Sequence, residues 1–221
     1  ADFGGGAMFL ATGLLAAVLH ARATGEGQVV DAAMIEGASY LGTMTRTFQA
    51  RGGWKDEREA NMLDGGAPNY RCYECADGGY LAVGALEPQF WTALVTAIGG
   101  DAAEAPNPYV PAEWDECRNW LASTFKTRTR DEWASIFAPL DACVAPVLTL
   151  DEAPQHPHNI ARGAFMTVAD TVLAAPAPKF SATPATAGDV TPAGHDSESV
   201  LAELGLSPDE LVALRESGVI A

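Results

Sequence analysis

Tyr70-Arg71-Cys72-Tyr73-Glu74-Cys75, then Ala76-Asp77-Gly78-Gly79, then Tyr80-Leu81-Ala82-Val83-Gly84-Ala85, reads as a hairpin: two strand-like runs around a glycine-containing turn. Leu86-Glu87-Pro88-Gln89-Phe90-Trp91 follows at once. Pro88 suits the first position of a helix, where its missing N–H costs nothing. Phe90, Leu94 and Ile98 give that helix an apolar stripe, and Gly99-Gly100 ends it. Two more helices are predicted near 113–126 and 130–139, the second opened by a capping box, Thr129 with Glu132. Val144 to Leu148 contains Pro146, so it reads as an edge strand. A hairpin followed by helices describes a small α+β domain, placed at residues 63–170.

Upstream, residues 7–22 read as a helix that is apolar nearly all round, with Met8, Leu14, Leu15, Val18 and Leu19. That pattern belongs to a helix covered on most sides. Its apolar core, Ala7 to Leu19, is shorter than a bilayer requires, so no membrane span is expected. Gln28 to Asp31 form a short β-type run, and a second helix is expected over 32–49. Residues 51–69 form a connector. Downstream, 171–186 is an extended linker rich in proline and alanine, and 187–221 carries two helices. The last begins at the capping box of Ser207 and Glu210, with Pro208 first inside. The helices outside 63–170 lack a sheet of their own. The chain opens on Ala1 with residues that resemble a protein interior, so it reads as the C-terminal part of something longer.

Hydrophobic residues make up 48% of the 221 and charged residues 19%, a globular balance. The net charge of −16 argues against nucleic acid or an anionic membrane as partner, because the chain would repel phosphates. Of the four cysteines, Cys117 and Cys143 stand alone, which is no disulfide framework and fits a reducing cytoplasm. Cys72 and Cys75 have no second pair to complete a zinc site, and His156-Pro157-His158 has no acidic or Cys cluster nearby, so no metal is expected.

Two carboxylates stand out. Asp2 precedes Gly4-Gly5-Gly6 and a helix start. Glycines let a ligand approach the backbone, and a helix start offers unpaired N–H groups and partial positive charge. Such a place suits a thioester carbonyl, or the enolate left when its α-proton departs. The same residues also make an ordinary capped, glycine-rich helix start. Glu87 sits where a strand hands over to a helix, as a reactive group or as a plain capping carboxylate.

Taken together, five stretches resemble family III CoA-transferases (the CaiB/BaiF type), and within them the α-methylacyl-CoA racemases. They are Asp2-Phe3-Gly4-Gly5-Gly6; Gly27-Gln28-Val29-Val30-Asp31-Ala32-Ala33-Met34; Gly65 to Cys75; Gly84 to Trp91; and His156 to Gly163. The resemblance spans nearly the whole chain, in order. It implies an α/β fold whose N-terminal Rossmann-like half is missing here. Residues 1–32 would end the large CoA-binding domain, 33–62 would be a helix and connector, and 187–221 would return to the large domain. It implies an interlocked homodimer, an acyl-CoA thioester substrate, and no cofactor beyond the coenzyme A of that substrate.

The resemblance also implies roles. Asp2 matches an aspartate that exchanges the α-proton, opposite a histidine on the other face of the carbon. Glu87 matches a glutamate that orients that histidine from the partner chain. Gly4, Gly5, Gly6, Met34, Met62 and Tyr70 would line the substrate. No residue here matches the histidine, which the family carries in its preceding half; His20, His156, His158 and His195 lie outside that motif. The chain alone is therefore expected to be inactive. Two other readings compete: a CoA transferase working through an aspartyl anhydride, and a non-catalytic remnant or interaction module.

Overall fold

The computed structural model describes residues 1–188 and 190–220. They fall into two compact units, Ala1–Val147 and Leu148–Ala221. The division lies inside the 63–170 span that the sequence presents as one domain.

The first unit opens with a π-helical turn, Asp2–Ala7, which runs without a break into helix α1, Met8–Thr24. Gly25 ends it in the left-handed conformation, φ 80°. The expectation from length needs correction. The continuous helical run Asp2–Thr24 has 23 residues and is long and apolar enough to cross a membrane, by length and composition alone. The first turn extends the apolar segment that had looked too short. Nor is α1 covered: none of its residues is buried, and Leu15 and Leu19 are 68% and 66% exposed.

A single helix over 32–49 is also corrected. Helices α2, Met34–Leu41, and α3, Thr43–Ala50, meet at Gly42. Glycine is a weak helix former, and the Thr43 hydroxyl donates to the Tyr40 carbonyl at 2.5 Å, taking an acceptor at the end of α2. Residues 28–31 form no strand, because among the described residues no ladder partner lies beside them. Helix α2 packs against the first turn. A Cβ on Gly37 would fall 1.8 Å from the Gly5 carbonyl oxygen, so only glycine allows this approach. Phe9 meets Tyr40 edge to face, 5.8 Å between centroids.

The hairpin forms as the alternation requires. Strand β1, Tyr70–Glu74, pairs antiparallel with β2, Tyr80–Gly84, with Tyr70 opposite Gly84 and Cys72 opposite Ala82. Strand β3, Val144–Pro146, joins the other edge of β2. Tyr73, Leu81 and Val83 point from the sheet into a core closed by α4, Pro88–Ala97, α5, Trp114–Phe125, and α6, Arg130–Phe137. Phe125 sits at its centre, with Tyr73, Trp133 and Phe137 at 5.4, 5.5 and 6.3 Å. The Thr129–Glu132 capping box is present at the start of α6.

The second unit contains α7, Pro157–Arg162, and a two-stranded sheet of β4, Phe165–Val168, and β5, Thr171–Ala174. Strand β5 falls where a linker is expected. Ala169 and Asp170, both at positive φ, make the tight two-residue turn between the strands. Helices α8, Ser197–Glu203, and α9, Pro208–Glu216, follow, the latter with its Ser207–Glu210 capping box.

Candidate functional site

Asp2 is exposed in the first helical turn and makes no capping hydrogen bond. The Ala1 carbonyl accepts from the N–H groups of Gly5 and Gly6, at 2.7 and 2.9 Å. The N–H groups of Asp2, Phe3 and Gly4 precede any intrahelical acceptor. They lie at the positive end of the 23-residue helical run. The glycines divide their work. Gly4 is exposed, whereas Gly5 and Gly6 are buried. A Cβ on Gly6 would come within 2.9 Å of the Met34 Cγ, and one on Gly5 within 2.9 Å of the Ala38 nitrogen. Both glycines thus meet α2, and Met34 closes over the turn while staying 51% exposed.

A second cluster forms around the hairpin. Glu87 is the N-cap residue of α4 in extended conformation, yet its side chain caps nothing. Its backbone carbonyl accepts from Phe90 and Trp91 instead. The carboxylate is exposed and, among the described residues, makes no hydrogen bond or ion pair. Two neighbours feel its charge. Burial and then Glu87 raise the Tyr109 hydroxyl. Burial, Asp141 and Glu87 raise the Cys143 thiol. Neither Tyr109 nor Cys143 stands out in the sequence, because each is remote from Glu87 along the chain.

Tyr70 lies on the sheet face away from the core. With Cys72, Gly84, Cys143 and Ala145 it borders an open cavity of about 700 Å³. The connector before it is a folded knot rather than a slack link. Asn61 is buried and donates Nδ2 to the carbonyl of Lys55 at 2.9 Å and to the Asp64 carboxylate at 2.7 Å. Asp64 also accepts the backbone N–H groups of Ala60, Asn61 and Gly66. Burial raises its pKa, but the bonds from Asn61, Gly66 and Ala60 outweigh that and hold it below the usual carboxylate range. Met62 rides on this knot, half exposed.

The structure thus gathers Asp2, Gly4, Gly5, Gly6 and Met34 in one place, and leaves Tyr70 and Glu87 near the open end of the hairpin, where Tyr70 pairs with Gly84. No hydrogen bond or ion pair among the described residues links the two places. Among the described residues no cluster of three or more His, Cys, Asp or Glu could hold a metal ion. Cys72 is exposed and Cys75 buried, and all four thiols are free.

The family model for CoA-transferase family III matches residues 1–197. Alpha-methylacyl-CoA racemases of mouse and human are each 40% identical over 223 residues, covering 100% of this chain and 58% of theirs. The chain therefore spans less than two thirds of the length of these curated relatives. The crystal structure of a CAIB/BAIF family protein from Brucella suis matches with a TM-score of 0.63 at 20% identity, over 86% of this chain and 52% of that one, which shows a shared fold. The sequence match across the chain and the shared architecture make one conclusion: this chain belongs to CoA-transferase family III.

Proposed function

We propose that this chain supplies the aspartate-bearing part of a racemase that inverts the α-carbon of 2-methylacyl-CoA thioesters. The observation that carries this reading is the Asp2 carboxylate, unpaired and exposed at the start of a long helix. The 40% identity to mouse and human racemases over the whole chain supports it.

In this reading the Asp2 carboxylate takes the proton from the α-carbon. The C–H electron pair becomes the C=C bond of an enolate, and negative charge moves to the thioester oxygen. Backbone N–H groups at a helix start are suited to that oxyanion. A proton then returns to the opposite face from a histidine, which the family carries in a segment preceding the counterpart of Asp2. In the reverse direction Asp2 starts protonated and gives its proton up. Glu87 orients and charges the histidine across an interlocked homodimer, so each site draws on both chains. Met34, Met62 and Tyr70 meet the acyl group, and Gly4 leaves room for the thioester. Gly5 and Gly6 serve the site indirectly, by letting α2 close on the turn. The coenzyme A belongs to the substrate, and no further cofactor enters. A cytoplasmic setting completes the reading.

The family name favours one other reading, transfer of CoA between carboxylic acids through an acyl anhydride on an aspartate. The full-length protein, incubated with one enantiomer of a 2-methylacyl-CoA in D₂O, separates the two. A racemase incorporates one deuterium at the α-carbon as the stereocentre inverts, and hydroxylamine leaves it active. Inactivation by hydroxylamine during turnover, without exchange, would establish the transferase. Neither activity would leave a non-catalytic module.

A further inference from the structure

We infer that Asn69 is a positioning residue that fixes Glu87 relative to Tyr70. The inference rests on the reading of Glu87 just given. The antiparallel ladder of the hairpin ends at the pair Tyr70–Gly84. The next rung would join Asn69 to Ala85, but there the backbone turns away, and the N–H of Leu86 donates to the Gly84 carbonyl at 2.9 Å. The Asn69 side chain replaces the missing rung. Its Nδ2 donates to the Ala85 carbonyl at 2.9 Å.

This bond is enclosed. Asn69 is 2% exposed and Ala85 fully buried, so water does not compete for either group. One end of the bond adjoins Tyr70; the other stands two residues before Glu87. The segment carrying Asn69 is itself held. Tyr73 donates its hydroxyl to the Pro68 carbonyl at 2.6 Å, Arg118 donates to the Gly66 carbonyl at 2.7 Å, and the N–H of Ala67 donates to the Asn61 carbonyl at 3.2 Å. On the other side, the Glu87 carbonyl accepts from Phe90 and Trp91 at the start of α4, while its carboxylate caps nothing, so the bond from Asn69 is what ties this helix start to the connector. Asn69 therefore transmits the rigidity of the connector knot to the backbone that aims Glu87.

The test is a double-mutant cycle in the full-length protein, read as α-proton exchange. Asn69→Ala, and Asn69→Asp as a variant of the same shape, are each made alone and with Glu87→Gln. Each Asn69 variant should lower kcat by about tenfold to a hundredfold, the cost of a small misplacement, with KM little changed. In the Glu87→Gln background the same substitutions should matter less than about twofold, because the group they aim is gone. Equal losses in both backgrounds would overturn the inference and leave the role of Glu87 standing. A Glu87→Gln protein as active as the parent would overturn both. If neither Asn69 variant folds, Asn69 supports the fold alone and the inference fails.

Discussion

Gly37 faces Gly5 so closely that a methyl group on Gly37 would stand 1.8 Å from the Gly5 carbonyl oxygen. The contact locks α2 against the turn that carries Asp2. Backbone meets backbone there, so no side chain can move aside. Gly37→Ala should cost about 1–3 kcal/mol and lower the activity of the full-length protein along with it. Gly27, where a Cβ meets nothing within 4 Å, is the control. Gly27→Ala should change stability by less than about 0.5 kcal/mol. Urea melts of both variants check the difference.

The hairpin domain turns on Phe125, fully buried among Tyr73, Trp133 and Phe137. Phe125→Ala should cost about 3–5 kcal/mol, through lost burial and the cavity left behind. A denaturant melt followed by tryptophan fluorescence reads it, since Trp133 lies against the ring.

The connector knot should loosen in acid. Hydrogen bonds in the folded chain hold the Asp64 carboxyl below the ordinary carboxylate range. A depressed folded pKa contributes stability that is present above the unfolded value and lost as pH falls through the folded one. Proteolysis within residues 55–66 should therefore rise as pH drops below about 4. Asp64→Asn should flatten that rise, and pepsin digestion at graded pH measures both.

The thiols should divide two and two. Cys72 and Cys143 are exposed, while Cys75 and Cys117 are buried. Burial, with Glu113 and Glu116, pushes the Cys117 thiol up to about 12. A thiol reagent at neutral pH should modify two groups in the folded chain and four after unfolding, because only accessible thiolates react. Four fast reactions in the folded chain would contradict the packing described.

The hairpin, α4, α5, α6 and both capping boxes were legible because their signals are local: alternation, Pro88 after Glu87, and Thr or Ser three residues before Glu. Strand β5 was hidden because Thr171–Ala174 runs into a proline-rich stretch, and its turn uses Ala169 and Asp170 without glycine. The break at Gly42 was missed because a single glycine inside an otherwise helical run does not by itself mark a helix end. At the candidate site, the carboxylates could be picked out by their neighbours in sequence. The burial of Gly5 against Gly37 and the bond from Asn69 to Ala85 could not, because each joins residues far apart in the chain.

In the proposed reaction Asp2 exchanges the α-proton of a bound thioester. The direct measurement is the deuterium exchange rate of a 2-methylacyl-CoA with the full-length protein and its Asp2→Ala variant. Loss of about a hundredfold or more in the folded variant is the predicted result. Exchange at the parent rate would contradict the account.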